Sequence, residues 1–410
     1  MLDEFQKLSR HFLEIKNQSY QRYFIQKTAL TQRLSLLIGQ RGIGKTTLLI
    51  QYLLSHVAND RLSPKILYIQ ADHFLMGNTS LYNIAEEFNT LGGQWLAFDE
   101  IHKYANWSRE LKSIYDTFPH LQIIASGSSA LEIHKGTHDL SRRAVVYNLY
   151  GLSFREYLEL YYELTLSPYS LEEILRNHEK LTEDIFKKII PSDKKIIPHF
   201  LDYLQYGYYP YFREVNDIAI FYLLVEQNLH TTVESDLVAI YPHLTGNSIK
   251  KIKQLLSFIS KAVPFTPNWQ KLKSILDIGD DRTLKTYFKY LEDAELIQTV
   301  STTTKKIKRL ETSEKIYLNN PNQMHALSYD QYNAGTIRET FFLNMLTTQH
   351  EVTLPMKGDF LVDHRYLFEI GGRKKGFQQI EHAKNAYLAC DEIEKGIGAK
   401  IPLWLFGFLY

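Results

Sequence analysis

Cysteine is nearly absent from this sequence: the single residue Cys390 excludes an internal disulfide framework and any cysteine-based zinc site. Proline, at 12, and glycine, at 20, are too scarce among 410 residues for a long disordered or collagen-like region. No uninterrupted apolar run reaches the ~18 residues of a membrane-crossing helix. The opening stretch MLDEFQKLSRHF is amphipathic and mixed in charge, unlike a secretory leader. What is left is an ordinary globular composition, 44% hydrophobic and 23% charged, for which a soluble, cytoplasmic protein without a membrane partner is expected. At a soft ~150 residues per domain, the length predicts two to four domains.

Net charge of one sign is also lacking overall, since 47 basic residues face 46 acidic ones. That balance hides an asymmetry. Between Gly246 and Leu310 there are 13 Lys/Arg against 6 Asp/Glu, a surplus of +7, which leaves 34 against 40, or −6, for the rest. A basic module on an acidic protein points to a polyanionic partner for one domain only.

The first third alternates short apolar runs with helix-length segments. Strands are predicted at Leu34–Ile38, Ile66–Gln70, Trp95–Phe98, Leu121–Ser126 and Val145–Leu149, and helices at Thr46–His56, Ser80–Thr90 and Trp107–Phe118. Alternation of this kind predicts a parallel sheet covered by helices on both faces. From Ser153 to about Glu234 the chain turns helical and rich in tyrosine. A compact helical region follows to about Ile297, then a basic strand at Lys305–Leu310. The last block, from about Tyr317, mixes a helix at Thr336–Leu346 with strands at Asp359–Val362, Tyr366–Ile370 and Pro402–Leu409.

One motif carries specific chemistry. Gly39-Gln40-Arg41-Gly42-Ile43-Gly44-Lys45-Thr46 satisfies G-x-x-x-x-G-K-[ST] in full, directly after an apolar strand and directly before a helix. Glycines let the chain curl so that backbone N–H groups converge on one concavity, and the helix N-terminus adds positive potential there. Residues 39–46, with Thr47, are therefore expected to cradle the phosphates of ATP. Lys45 reaches the β- and γ-phosphates and the Thr46 hydroxyl ligates Mg²⁺. Downstream, Trp95-Leu-Ala-Phe-Asp99-Glu100 is an apolar strand ending in two carboxylates. Asp99 is the expected second magnesium ligand, and Glu100 the base that polarises an attacking water. Asp99-Glu-Ile-His102 also spells a DExH box, but a helicase needs a second motor half, and no second strand–helix alternation follows.

These residues resemble a known family. GQRGIGKTTLL, LAFDEIHKYANWSRELKSIYDTFPHLQIIASGSSAL and LSRRAVVYNLYGLSFREYL are similar to the AAA-type P-loop ATPases of bacteria and archaea that carry a C-terminal domain of uncharacterised function. The stretch GDFLVDHRYLFEIGGRKKGFQQI, with the closing KIPLWLFGFLY, resembles that second domain, which is related to PD-(D/E)xK nucleases. The resemblance implies an AAA+-like parallel sheet over 1–152, a helical lid over 153–240, a winged helix over 241–316 and a nuclease-like α/β domain over 317–410. It further implies that Ser126 senses the γ-phosphate, with a plain helix N-cap for Ser126–Ser129 as the alternative. Of Arg142 and Arg143, it favours Arg143 as the arginine that meets the γ-phosphate, within its own chain or from a neighbouring copy; simple surface solvation is the alternative.

In the basic middle, Trp269–Leu276, a turn at Asp277–Asp280 and Arg282–Ala294 are predicted to form a helix–turn–helix. Leu284, Phe288 and Leu291 would face its core, leaving Arg282, Lys285 and Lys289 on one exposed basic face. The ribbon Lys305–Arg309 would follow as a wing. Phosphate contact with DNA through residues 246–310 suits this pattern, although winged helices also serve protein contacts alone.

Nuclease domains of the resembled type hold Mg²⁺ between an Asp and a Glu on neighbouring strands, with a Lys two residues after the Glu. Asp359 and Glu369 would face one another if the loop were the three residues Asp363–Arg365, but not across a two-residue loop. Glu339 is the candidate third acid. The expected lysine position is Gly371, so Lys374 is the substitute assigned here, with Lys375 and Arg373 as alternatives. The reading that results is a Mg²⁺-dependent ATPase with a protein partner or a second copy of itself. A nucleotide-gated DNA- or protein-binding module with negligible turnover, or a metal-dependent nuclease, are the alternatives.

Overall fold

A computed structural model describes residues 2–28, 30–77, 79–128, 140–189, 195–302, 314–328, 333–381 and 383–410. The chain divides into two compact units. The first comprises Met1–Gly151, Thr231–Thr245 and Asp293–Glu295; the second comprises Leu152–His230, Gly246–Glu292 and Leu296–Tyr410.

The first unit is built on a five-stranded parallel sheet. Its strands are β1 (Leu34–Gly39), β2 (Ile66–Gln70), β3 (Trp95–Asp99), β4 (Gln122–Ser128) and β5 (Ala144–Asn148), in the order β2-β3-β4-β1-β5. The helices Lys45–Ser55, Leu81–Thr90 and Trp107–Thr117 alternate with them, so the predicted elements appear within one or two residues of their expected ends. Strand side chains alternate between two cores. Leu67, Ile69, Leu96, Phe98, Ile123 and Ala125 enter one, while Ile66, Tyr68, Ala97 and Ile124 enter the other. A helix at Leu2–Ile15 spans both clusters, burying Leu2 and Phe5 in the first and Leu13 in the second. Because β4 lies between β1 and β3, the C-terminal tips of three strands open onto one edge of the sheet.

The second unit contains a mixed sheet of β8 (Val352–Thr353), β9 (Phe360–Val362), β10 (Tyr366–Gly371), β11 (Ala386–Cys390) and β12 (Lys400–Pro402), in the order β12-β11-β10-β9-β8. β10 and β11 run parallel, whereas β9 and β10 form an antiparallel hairpin. Helices Gly246–Ala262, Trp269–Leu276 and Asp281–Asp293 precede a second hairpin, β6 (Ile297–Ser301) with β7 (Glu314–Leu318). Lys305–Arg309, expected to form a wing, lies outside the described residues.

Two expectations change here. The segment 153–240 does not form a body of its own: residues 152–230 group with the C-terminal unit, and 231–245 with the first. The physical cause is aromatic packing. Phe154 stacks edge-on against Phe200, Trp404 and Phe408, and Phe200 against Phe341, so the tyrosine-rich helices share a core with the C-terminal residues. The predicted strand Pro402–Leu409 ends at Pro402 and continues as a 3₁₀ turn over Leu403–Phe408. All six turn residues are buried, and a run apolar on every side carries no periodicity that separates strand from helix.

Candidate active site

The loop after β1 curls because two of its glycines occupy left-handed backbone, Gly42 at φ 83° and Gly44 at φ 96°. Gly39 is required for a different reason: a Cβ there would collide with the Leu149 carbonyl and the Ile43 side chain. Lys45 is buried, and its Nζ donates to the carbonyls of Gly39 (2.9 Å) and Gln40 (2.7 Å), clamping the start of the loop. Glu295, from the short segment Asp293–Glu295, faces this lysine. Burial raises its carboxyl to about 7 against the opposing pull of Lys45. Its backbone carbonyl accepts a hydrogen bond from the Gln40 side chain. From the other side, buried Arg22 donates to the carbonyls of Ile43 (3.0 Å), Tyr150 (2.9 Å) and Gly151 (2.9 Å).

Asp99 is the hub of the acidic side. It ends β3 almost completely buried, and one carboxylate oxygen accepts from Thr46 Oγ1 (2.6 Å) and Tyr68 OH (2.7 Å). The other accepts from the Ser126 hydroxyl and from Glu100 N–H (3.1 Å). Burial and the Asp99 charge push the Tyr68 phenol far up, so it stays a donor. The structure thus brings together Thr46, at the start of the helix Lys45–Ser55, Asp99, at the end of β3, and Ser126, near the end of β4. A threonine hydroxyl beside a carboxylate is a hard-oxygen donor set suited to magnesium.

Glu100 follows with backbone in the left-handed region, φ 51°, an unusual conformation for a residue with a side chain. Its carboxylate lies 3.8 Å from Arg41 Nη2, 3.7 Å from His102 Nε2 and 4.0 Å from Lys103 Nζ. Arg41 in turn contacts Asp236 at 3.0 Å, and His102 Nε2 lies 3.7 Å from the same Asp236 oxygen. His102 Nδ1 accepts from Ser128 N–H (3.2 Å), so the ring proton belongs on Nε2, between the two carboxylates. Burial alone would raise the Asp236 carboxyl; His102 and Arg41 outweigh it and hold it at about 2.

Residues 31–158 match the family model described as "AAA domain". This part of the chain is similar to the P-loop domains of the AAA type. Residues 197–331 match a second model, "Domain of unknown function (DUF8612)". An uncharacterised protein of Methanocaldococcus jannaschii is 27% identical over 382 residues, which cover 85% of this chain and 77% of that one. Among solved structures, C. elegans PCH-2 is 14% identical with a TM-score of 0.25, over 72% of this chain and 67% of that one. AMPPCP-bound DnaA from Aquifex aeolicus is 14% identical with a TM-score of 0.26, over 71% and 88%.

Not every expected residue reaches the candidate phosphate site. Arg143 is held at the surface in a two-pronged pair with Asp116, at 2.8 and 2.9 Å, and the arginine that faces Glu100 is Arg41. Asp236, His102, Tyr68, Glu295 and Arg22 were not singled out from sequence as parts of this site. Only His102 carried a signal, as the last letter of the DExH box.

In the second unit, Leu284, Phe288 and Leu291 are buried as expected, Arg282 and Lys289 are exposed, and Lys285 is half-buried with its Nζ 5.8 Å from the Trp269 ring centre. The β9–β10 register pairs Val362 with Tyr366 and Phe360 with Phe368, which fixes a three-residue loop and sets Asp359 opposite Glu369. The lysine beside them is Lys375, which pairs with Glu369, whereas Lys374 is exposed. A side chain at Gly371 would run into the stem of Lys375, so Lys375 fills the space the missing residue would take. Burial and Asp359 raise the Glu369 carboxyl against the pull of Lys375. Burial likewise raises Glu339, whose carboxylate accepts from Tyr317 OH at 2.7 Å. Among the described residues, no group of three or more His, Cys, Asp or Glu is placed to hold a metal ion, and no helix is long and apolar enough to cross a membrane.

Proposed function

We propose that the protein binds ATP with Mg²⁺ and hydrolyses it. The observation that carries this reading is the convergence of the curled 39–46 loop with the Thr46–Asp99–Ser126 cluster and, one residue on, Glu100. Magnesium, held by Thr46 and Asp99, would neutralise charge on the phosphate oxygens. Lys45 exchanges its two loop carbonyls for phosphate oxygens. Ser126, fixed on Asp99, is placed to report on the γ-phosphate, and Glu100 accepts a proton from the attacking water. Lys45→Ala should abolish measurable ATP binding in calorimetry with Mg²⁺, while circular dichroism stays that of the wild type. Undiminished binding by that variant would remove the loop from its role.

The three helices and hairpin of residues 246–318 support a winged-helix assignment, with Arg282, Lys285 and Lys289 as the DNA-facing residues and nucleotide state as the control. For the C-terminal acids we favour a binding or structural role over cleavage. What supports this is that each is already engaged: Asp359 accepts from Ile370 N–H at 2.7 Å, Glu369 pairs with Lys375, and Glu339 holds Tyr317. Duplex DNA should therefore be retarded in gels at low salt and released steeply as salt rises. With Mn²⁺ it should show no cleavage that Asp359→Ala removes. Cleavage lost in that variant would restore the nuclease reading.

A further inference from the structure

Glu100 and three side chains around it leave buried polar atoms without hydrogen-bond partners: Arg41 Nε, Glu100 Oε2, His102 Nε2 and Asp236 Oδ2. Buried polar atoms are nearly always paired, so four converging on one spot indicate a cluster that exchanges partners rather than a finished scaffold. Its charges explain what it exchanges. Two carboxylates, Glu100 and Asp236, share one guanidinium and one imidazole N–H. Asp236 is fully buried, and Arg41 is the cation on it at hydrogen-bond distance, 3.0 Å, whereas Glu100 lies at 3.8 Å. Arg41 is also the third residue of the phosphate-binding loop, so a triphosphate there competes directly with Asp236 for the same planar fork.

We propose that Asp236 is a latch on Arg41, opened by the γ-phosphate, and that Arg41 is the arginine that meets that phosphate within its own chain. This rests on the triphosphate site proposed above. Once Arg41 turns to phosphate, Asp236 and Glu100 have His102 Nε2–H between them, 3.7 Å from each, and Glu100 also keeps Lys103 Nζ at 4.0 Å. Opening the latch removes the tie of Arg41 on the segment Thr231–Thr245, which adjoins the second unit in sequence at both of its ends. The latch therefore converts the presence of a γ-phosphate into loosening of one defined stretch of chain.

The test is ATP and ADP affinity by calorimetry with Mg²⁺ for wild type, Asp236→Asn, Arg41→Ala and the double variant. Without the competing carboxylate, Asp236→Asn should bind ATP about tenfold more tightly, a typical size for one coupled site. ADP affinity should change by less than about twofold, and in the Arg41→Ala background the Asp236 substitution should do nothing. Unchanged or weaker ATP binding by Asp236→Asn, or an equal gain in the Arg41→Ala background, overturns the latch. Absence of ATP binding by the wild type would instead overturn the triphosphate site itself. Hydrogen exchange on the wild type needs no variant: ATP, but not ADP, should speed amide exchange within residues 231–245, and identical exchange with both nucleotides counts against the proposal.

Discussion

Glu100→Gln should hold ATP as tightly as the wild type while turnover falls by about 10²–10⁴-fold, the usual contribution of a positioned general base. Retained binding follows from what fixes this residue. Its backbone N–H bonds to Asp99 (3.1 Å) and Ser126 Oγ (3.3 Å), and neither bond involves the carboxylate being changed. The left-handed backbone at φ 51° is no harder for glutamine than for glutamate, and the amide fits the same volume. What is lost is a proton acceptor and the more distant of Arg41's two carboxylate neighbours, while Lys45, Thr46 and Asp99 are untouched and Arg41 keeps Asp236. Single-turnover measurement of γ-phosphate release, alongside calorimetry, separates the two effects. A wild-type rate from this variant would place the base elsewhere. Equal losses of binding and rate would mean that the carboxylate mainly balances the charge of Arg41.

The parts of this site that were legible in the sequence are those whose chemistry is local. Residues 39–46 and 95–100 declare themselves because strand, turn and functional group are contiguous, and a parallel sheet follows from the alternation around them. The facing of Asp359 and Glu369 hung on the length of one turn, which the sequence left open and the β9–β10 register decides. Lys374 was one residue off because the turn after β10 brings Lys375 inward, and a linear count from Glu369 cannot resolve which lysine a turn presents. Arg41 was placed in the loop from its backbone, but its partner Asp236 is 195 positions away, in a segment with no motif of its own. The Arg143 expectation rested on its place before the fifth strand and, in the choice over Arg142, on resemblance. Within its own chain the guanidinium pairs with Asp116, a residue whose position on the helix Trp107–Thr117 gives no hint of that pairing. Long-range pairing of single charges is the information that periodicity and spacing do not carry.

Arg22 is the extreme case, an arginine in an unremarkable stretch, QSYQRYF, that the fold buries against the phosphate loop. Arg22→Met should destabilise the first unit by about 3–5 kcal/mol, as expected when one partner of a buried charged hydrogen-bond set is removed. The apolar chain matches most of the volume, so little of that cost comes from a cavity. It comes from the carbonyls of Ile43, Tyr150 and Gly151, which lose the guanidinium that now serves all three. Arg22→Lys should recover only part of the loss, because one ammonium cannot reproduce the planar fork that spans carbonyls from two separate segments. For a unit of this size the Met variant should melt on the order of 10 °C lower. Saturating ATP should recover part of that drop, since ligand binding to the folded loop stabilises it by mass action. Ile43 lies between the two left-handed glycines, so losing its anchor also loosens the curl on which phosphate binding depends, and ATP affinity should fall together with the melting temperature. A variant that melts within about a degree of the wild type would mean that water replaces the guanidinium at these carbonyls, and the loop would then owe its shape to its glycines and Lys45 alone.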